Sequence, residues 1–284
     1  MATKNTVTTL FEMKERGEKI SQLTCYDYTT ACLIEKAGIN TVLVGDSLGM
    51  TMQGYDTTLP VTMEEMIVYG RSVVRGCPSA FVIMDMPFMS YQCSVDEAVR
   101  NAGRLIKETN ANAVKLEGGA TVVEQIRAIS GAGIPVCAHI GMTPQSVNAF
   151  GGFKVQGKGE ENARKVFEDA IAVCEAGAFM CVLECIPPKL ASLISRKVNM
   201  ITIGIGASSN CDGQVLVYQD MLGMSQKIAP KFAKVFANVG DIMVQAFKDY
   251  DEEVKNMTYP AECHTYVKSD CDDEFLAKLV NESK

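Results

Sequence analysis

The chain alternates short apolar runs with longer amphipathic stretches along most of its length. Each apolar run has the length of a buried β-strand, and the stretches between them have the periodicity of surface helices. Strands that alternate with helices indicate parallel βα units. The runs lie at residues 21–27, 40–46, 80–86, 113–119, 135–141, 179–185 and 200–206, with an eighth candidate at residues 213–218.

The number of these units favours a closed sheet. Eight parallel strands with intervening helices make up the α/β fold known as the (β/α)8 or TIM barrel, and we predict this fold as a single domain. An open doubly wound sheet stays an alternative. Periodicity counts the strands, but it does not show whether the first strand pairs with the last.

An Ala-Gly pair separates helix from strand at three of the junctions. Its glycines are Gly38, Gly133 and Gly177. A glycine at this place predicts a helix that ends in the left-handed backbone conformation, followed at once by a strand. The same junction used three times indicates one repeated βα unit.

Length and charge limit the organisation and the partners. A chain of 284 residues that is 47% hydrophobic can bury one large core without a second domain. We expect a barrel domain with an N-terminal helix at residues 1–267 and an acidic C-terminal extension of unknown role at residues 268–284. The net charge of −7, without any basic run, argues against nucleic acid and against an anionic membrane. The expected partners are small-molecule substrates and further copies of this chain.

The cysteines do not indicate a disulfide framework. There are eleven of them in a long chain whose first residues contain no apolar signal segment. Cys25, Cys137 and Cys181 lie in apolar runs, where a free thiol packs as a small hydrophobic group. No apolar stretch is long enough to span a bilayer. We therefore expect a reduced, cytoplasmic protein.

Ionisable residues recur at the ends of consecutive predicted strands. In a barrel these ends meet at the C-terminal rim, which is the catalytic face. The alternative is a set of charges that only cap helices or pair with one another. The residues are Asp46, Asp85, Lys115, Glu117, His139 and Glu184.

Several carboxylates in one small space repel each other unless a cation lies among them. The candidates are hard oxygen ligands without a cysteine pair, which favours Mg²⁺ or Mn²⁺ over zinc. Asp46 and Asp85 are the best direct ligands, and Glu117 is a third, through water. We expect Lys115 to neutralise an anionic substrate group beside the metal rather than to pair with Glu117.

Glu184 is the best candidate for a general base, because it faces inward and is partly desolvated. His139 is a weaker acid–base candidate, since a lone histidine on an apolar strand is more often a core residue. Cys181 and Cys185 are expected to pack. The glycine-rich stretches at residues 150–159 and 204–214 fit a lid and an anion-binding loop, or ordinary turns.

The strand-end segments also resemble a known family, ketopantoate hydroxymethyltransferase. The resemblance covers residues 5–266. It implies a (β/α)8 barrel of the phosphoenolpyruvate/pyruvate type, a homodecamer, and a place at the first committed step of pantothenate synthesis. The segments that carry it include VGDSLGM (44–50), DMPFMSY (85–91), KLEGG (115–119), HIGMTPQS (139–146), LECIP (183–187) and DGQVLV (212–217).

The resemblance also implies an activity. The family transfers a hydroxymethyl group from 5,10-methylenetetrahydrofolate to 3-methyl-2-oxobutanoate with Mg²⁺, giving 2-dehydropantoate. By motif, the metal ligands are Asp46, Asp85 and Glu117, and the proton acceptor is Glu184. The substrate-binding residues are Asp46, Ser47, Asp85, Lys115 and His139.

Two features depart from the family pattern. Ser208 stands where the family has glycine, and the residues after about 267 run past the family's usual end. Two other functions also fit parts of the sequence. One is an aldolase that forms a Schiff base through Lys115, which borohydride trapping would reveal. The other is a metabolite-binding barrel without activity, which a turnover assay would reveal.

Overall fold

The sheet is a closed barrel of eight parallel strands. The computed structural model describes residues 4–225, 230–266 and 271–282. Each strand pairs with its neighbours in sequence, and β8 pairs with β1, with Ile20 opposite Gly213. The predicted barrel is confirmed, and the open sheet is excluded. The strands are β1 Ile20–Thr24, β2 Thr41–Val44, β3 Phe81–Asp85, β4 Ala113–Glu117, β5 Val136–Gly141, β6 Met180–Glu184, β7 Ile201–Ile205 and β8 Gly213–Leu216.

Helices follow β1 to β6, but β7 leads to β8 through a loop. The three predicted glycine junctions are confirmed, with φ of +72° at Gly38, +84° at Gly133 and +102° at Gly177. The helices are α1 Val7–Glu15, α2 Tyr28–Ala37, α3 Leu48–Thr51, α4 Met63–Gly76, α5 Val95–Thr109, α6 Val123–Gly131, α7 Val147–Phe150, α8 Glu160–Glu175, α9 Pro188–Lys197, α10 Tyr218–Met221, α11 Val239–Lys255 and α12 Asp273–Glu282.

Apolar side chains fill the barrel interior from its N-terminal end. Leu10 and Met13 of α1 pack against this interior cluster, so α1 closes the N-terminal mouth. A second, larger cluster lies between the sheet and the surrounding helices. Because the N-terminal half is packed solid, the C-terminal mouth is where the barrel can hold a ligand. The interior cluster includes Ile20, Leu43, Phe81, Ile83, Cys137, Met180, Val182, Ile203 and Val215.

The C-terminal helices differ from those of the barrel. None of the residues of α11 or α12 is buried. In α11 the exposed apolar residues Met243, Phe247, Tyr250 and Val254 follow one another at intervals of four and three, which places them on one face. The predicted domain boundary at residues 267 and 268 lies outside the described residues. Within the described residues, no helix has the length and apolarity needed to cross a bilayer.

Lys14 closes the N-terminal mouth with a cluster of polar contacts. Its ammonium lies 3.0 Å from Asp212 Oδ2 and donates to the carbonyl oxygens of Val198 (3.3 Å) and Met200 (2.6 Å). We expect Lys14→Met to lower the free energy of unfolding by about 2 kcal/mol, since charged hydrogen bonds contribute that much when partly buried. Urea denaturation measures it.

Arg16→Met is the matched control. Arg16 contacts Glu18 at 2.9 Å, but both side chains are more than half exposed. Solvent screens such a pair, so the control should stay within about 0.5 kcal/mol of wild type. Equal effects of the two substitutions would refute the role given to Lys14.

Candidate active site

A single cavity at the C-terminal mouth contains every candidate site residue. Its volume is about 680 Å³, and it is lined by Asp46, Ser47, Asp85, Lys115, Glu117, His139 and Glu184. The strand order explains this convergence. Asp85 and Lys115 are opposite one another on β3 and β4, and Glu117 and His139 are opposite on β4 and β5. The sequence-based expectation that these side chains meet at one rim agrees with the structure.

Lys115 is a buried cation surrounded by carboxylates. Its Nζ atom lies 2.5 Å from Asp85 Oδ1 and 3.5 Å from Glu117 Oε1. Burial lowers the pKa of Lys115, but Asp85, Glu117 and Asp46 outweigh this effect and raise it well above its usual value. Lys115 therefore carries a positive charge. The expectation that Lys115 and Glu117 are not partners needs correction, because strand neighbours two residues apart lie on the same face and close enough to pair.

Asp46 and Asp85 form a close pair on adjacent strands. The backbone N–H of Asp46 donates to Asp85 Oδ2 at 3.0 Å. Burial raises the pKa of Asp46 well above its usual value, and the charges of Asp85 and Glu117 raise it further. Burial also raises the pKa of Asp85, and Glu117 adds to this, although Lys115 opposes it. Burial is the largest cause of the raised pKa in both carboxyl groups.

His139 lies between two glutamates. Its Nδ1 atom is 3.2 Å from Glu117 Oε1, and its Nε2 atom is 3.3 Å from Glu184 Oε2. Burial lowers the pKa of His139, but the charge of Glu117 and the interactions with Glu117 and Glu184 together outweigh it and raise the pKa to about 9. Burial likewise raises the pKa of Glu117, and Lys115 and His139 outweigh it and lower the value. At neutral pH, Glu117 is a carboxylate and His139 an imidazolium.

The charge balance and the donor chemistry of this cluster fit a divalent cation. Four carboxyl groups (Asp46, Asp85, Glu117 and Glu184) face two cationic side chains (Lys115 and His139), so the carboxyl groups outnumber the cations by two. All four groups offer hard oxygen ligands, which Mg²⁺ prefers. A metal ion at Asp46 would oppose the burial and the neighbouring charges of Asp85 and Glu117 that raise the pKa of Asp46.

The geometry limits how many protein ligands the ion could have. Among the described residues, no group of three His, Cys, Asp or Glu side chains stands ready to hold a metal. Glu117 uses Oε1 for Lys115 and His139, and Oε2 for the backbone N–H of Gln145 at 3.1 Å. The Asp46–Asp85 pair is therefore the place for direct contact. Mg²⁺ usually takes only one or two protein carboxylates and keeps several waters.

Ser47 follows Asp46 at the same rim. Its hydroxyl lies 2.7 Å from the hydroxyl of Tyr26, a residue that is 1% exposed. This contact fixes the direction of the Ser47 side chain, which lines the cavity. Phe153 from the predicted lid also lines the cavity, but its side chain is 59% exposed.

Several site features could not be read from the sequence. Cys185 was expected to pack, but it lines the cavity with a positive φ of 50°. Burial, and then Glu184, raise the pKa of its thiol to about 11, so it is protonated at neutral pH. The buried side chains of Tyr91 and Gln145 contact the carboxylate cluster through several hydrogen bonds. The only feature of the sequence that could have indicated Tyr91 and Gln145 is their position in the loops after β3 and β5.

Ser208 belongs to the loop after β7 rather than to the cavity. Its hydroxyl lies 2.8 Å from the hydroxyl of Ser192 on α9 and accepts the backbone N–H of Asn210 at 3.1 Å. Gln214 donates to the Ser208 carbonyl at 2.7 Å. These contacts hold the loop against the barrel, which favours the turn interpretation over an anion-binding loop.

Comparison with known proteins identifies the family. The family model for ketopantoate hydroxymethyltransferase matches residues 4–262. The chain belongs to this family. It is 60% identical to a 3-methyl-2-oxobutanoate hydroxymethyltransferase from Clostridium novyi (strain NT) over 276 residues, covering 97% of this chain and 99% of that protein. It is 58% identical to the enzyme of the same name from Enterococcus faecalis (strain ATCC 700802 / V583), with the same coverage.

Solved structures of lower sequence identity share the fold. One is 2,3-dimethylmalate lyase, a member of the PEP mutase/isocitrate lyase superfamily, with a TM-score of 0.59 and 18% identity over 100% of this chain and 97% of that one. Another is phosphonopyruvate hydrolase in complex with oxalate and Mg²⁺, with a TM-score of 0.60 and 10% identity over 98% and 96%. At such identities the match supports the fold alone, which is the closed barrel of eight parallel strands.

The comparisons also bear on the C-terminal segment. The family model ends at residue 262, before the expected extension at residues 268–284. The relatives, however, match 97% of this chain. A match of that extent has to include part of the segment after residue 267. This segment is therefore not peculiar to this member of the family.

Gly141 holds the end of β5 against the end of β6, where Glu184 lies. Its φ is +93°, and a Cβ there would come within 2.3 Å of the Glu184 carbonyl oxygen and 2.7 Å of Ile186. We expect Gly141→Ala to destabilise the fold by at least about 2 kcal/mol, because overpacking against backbone adds to the strain of a positive φ. Chemical denaturation measures the change.

Gly133→Ala separates the two causes. Gly133 has a φ of +84°, but a Cβ there would meet no atom within 4 Å. Only the backbone strain remains, which costs about 1–2 kcal/mol. A loss for Gly141→Ala no larger than for Gly133→Ala would show that close approach to Glu184 does not matter.

Proposed function

We propose that the protein transfers a hydroxymethyl group from 5,10-methylenetetrahydrofolate to 3-methyl-2-oxobutanoate, giving 2-dehydropantoate for pantothenate synthesis. One observation carries the proposal. The Asp46–Asp85 pair at β2 and β3 and Glu184 at β6 line one cavity from opposite sides of an eight-stranded barrel. A substrate bound at the aspartates can therefore present its alkyl side to Glu184. The names of the close relatives support the same reaction.

The cofactor in this proposal is Mg²⁺, with Asp46 and Asp85 as direct ligands and Glu117 acting through water. When bound, Mg²⁺ polarises a carbonyl oxygen and so makes the neighbouring C–H group more acidic. Lys115 would contact the substrate carboxylate with its ammonium, and Ser47 would donate a hydrogen bond. Both side chains line the cavity beside the aspartates.

Glu184 is the proposed proton acceptor. It removes the proton from C3 of the oxo acid, and C3 forms a bond to the methylene carbon of the folate. The two bonds from that carbon to the folate nitrogens break, water supplies the hydroxyl group, and tetrahydrofolate leaves. His139 lies 3.3 Å from Glu184 Oε2 and faces the same cavity.

The two alternative functions have less support. A Schiff-base lysine needs an unprotonated amine. The pKa of Lys115 lies well above its usual value, because Asp85, Glu117 and Asp46 outweigh the opposite effect of burial. A metabolite-binding barrel without activity would have no need for a buried excess of carboxyl groups, which is costly to desolvate.

Location and assembly belong to the proposal as well. We propose a cytoplasmic homodecamer, as the family resemblance implies. Free thiols at Cys25, Cys137 and Cys181 support a reducing compartment. The exposed apolar face of α11 supports self-association, because monomers rarely expose such a surface.

Replacing the base tests the reaction. Wild-type protein with Mg²⁺ and both substrates should form 2-dehydropantoate, and EDTA should abolish this until Mg²⁺ is restored. We expect Glu184→Gln to lower kcat by about 10²–10⁴, the usual contribution of general-base catalysis. Affinity for the oxo acid should change little, because the amide keeps the shape of the carboxylate. Steady-state kinetics measures kcat and the dependence of the rate on the oxo acid, and isotope exchange at C3 measures proton removal.

The exposed Glu161 on α8 provides the matched control. Glu161→Gln should keep the wild-type kcat. If isotope exchange at C3 proceeds at the wild-type rate in Glu184→Gln, the assignment of the base is wrong. Absence of product from the wild-type protein would refute the function itself.

The assembly is tested by native mass measurement. Wild-type protein should have the mass of ten chains. Phe247→Asp places a charge in the apolar face of α11, where Phe247 is 64% exposed, and should shift the distribution to smaller species. Glu252→Ser lies on the same helix outside that face and should leave the mass unchanged. A wild-type protein that runs as one chain would contradict the proposal.

A further inference from the structure

Gln145 connects the carboxylates on opposite sides of the mouth. It lies in the short 3₁₀ helix Pro144–Ser146 after β5, and it is 5% exposed. Its backbone N–H donates to Glu117 Oε2 at 3.1 Å, and its side-chain Nε2 donates to Asp46 Oδ2 at 2.9 Å. One residue thus holds a carboxylate of β4 and a carboxylate that follows β2.

The direction of the Gln145 amide is determined by its other partners. The second N–H of Nε2 donates to the Met86 carbonyl oxygen at 3.0 Å. On the other side, Oε1 accepts from the Tyr91 hydroxyl at 2.6 Å and from Gln92 Nε2 at 3.3 Å. A flipped amide would bring Oε1 against the Asp46 carboxylate and the Met86 carbonyl. The amide therefore presents one N–H to Asp46 and the other to the Met86 carbonyl.

Tyr91 completes this arrangement. Its hydroxyl accepts the backbone N–H of Glu117 at 3.1 Å and gives its own proton to Gln145. The one hydroxyl proton has two acceptors, Gln145 Oε1 at 2.6 Å and the Glu117 carbonyl oxygen at 3.1 Å, and the shorter contact is the one to Gln145. The hydrogen bonds thus run in one direction from the end of β4, through Tyr91 and Gln145, to Asp46.

This arrangement leaves one oxygen of Asp46 available. Among the described residues, the structure gives Asp46 Oδ2 a donor and gives Oδ1 none. The hydrogen bond from Gln145 restrains the rotation of the Asp46 carboxylate, because it holds Oδ2 at 2.9 Å from Nε2. A carboxylate held in this way is ready to bind a cation with one oxygen.

We propose that Gln145 is a positioning residue for the cation site, and that it acts by orienting the Asp46 carboxylate toward the metal. The proposal rests on the proposed function, because it takes Asp46 as a metal ligand. Tyr91 supports Gln145, because its hydroxyl contacts Oε1 and so keeps Nε2 turned toward Asp46. Partners of this kind typically change metal affinity ten- to a hundredfold when removed.

Direct metal binding tests this role without turnover. We expect Gln145→Met, which keeps the length of the side chain but has no N–H to donate, to bind Mn²⁺ about ten- to a hundredfold more weakly than wild type. Electron paramagnetic resonance of free Mn²⁺, in the absence of oxo acid, measures the dissociation constant. In turnover, the Mg²⁺ concentration for half-maximal rate should rise by a similar factor, and kcat at saturating Mg²⁺ should fall less.

Tyr91→Phe is a milder variant that carries the test if Gln145→Met does not fold. It removes the hydroxyl that holds Oε1, so Mn²⁺ affinity should fall by less than in Gln145→Met. Gln22→Met is the matched control, because Gln22 is 2% exposed and its amide has no hydrogen-bond partner among the described residues. Its Mn²⁺ affinity should equal that of wild type.

The outcomes separate this inference from the proposed function. A folded Gln145→Met, shown by wild-type circular dichroism, that binds Mn²⁺ as tightly as wild type would overturn the inference, even if the wild-type enzyme turns over. A wild-type protein without hydroxymethyltransferase activity would overturn the function, while the ratio of the Mn²⁺ affinities would still decide the role of Gln145. A wild-type protein that binds no Mn²⁺ would overturn the inference as well.

Discussion

The chemistry of this barrel depends on an excess of negative charge in a buried place. Asp46, Asp85, Glu117 and Glu184 share one cavity with only two cationic side chains. Desolvating charges costs several kcal/mol per ion unless partners compensate for it. Lys115 and His139 compensate for Glu117 and for part of Asp85, and the remainder falls on Asp46. This remainder is what suits the site to a divalent cation, and the cation together with Lys115 would attract an anionic substrate.

The rest of the fold keeps that cluster in place. The N-terminal half of the interior is filled by apolar side chains and closed by α1, so the charged residues are confined to the other mouth. Strand pairing places Asp85 beside Lys115 and Glu117 beside His139. Gly141 allows the carbonyl of Glu184 to approach β5 closely. The sheet therefore provides the fixed electrostatic environment that the proposed proton removal would require.

The proposed role of each residue in the cavity follows from the position of its strand around the barrel. Residues at β2 and β3 would bind the cation and the oxo acid, and Glu184 at β6 would act on the far side of the substrate. Loops contribute a second layer, in which Gln145 and Tyr91 link the carboxylates of different strands. In such a site the strands carry the ligands and the loops carry the residues that orient them. Both are needed for a defined geometry.

The sequence by itself determined the strands, their order and the ionisable residues at their ends. Apolar periodicity shows which residues form strands. Because side chains along a strand alternate between its two faces, Lys115 and Glu117 share a face. Only the tertiary structure decided that the sheet closes, that Lys115 pairs with Asp85, that Cys185 lines the cavity, and that Gln145 contacts Asp46. Gln145 and Asp46 are 99 residues apart in the chain. No local pattern records such a contact, because it arises from the curvature of the sheet and from the paths of two loops.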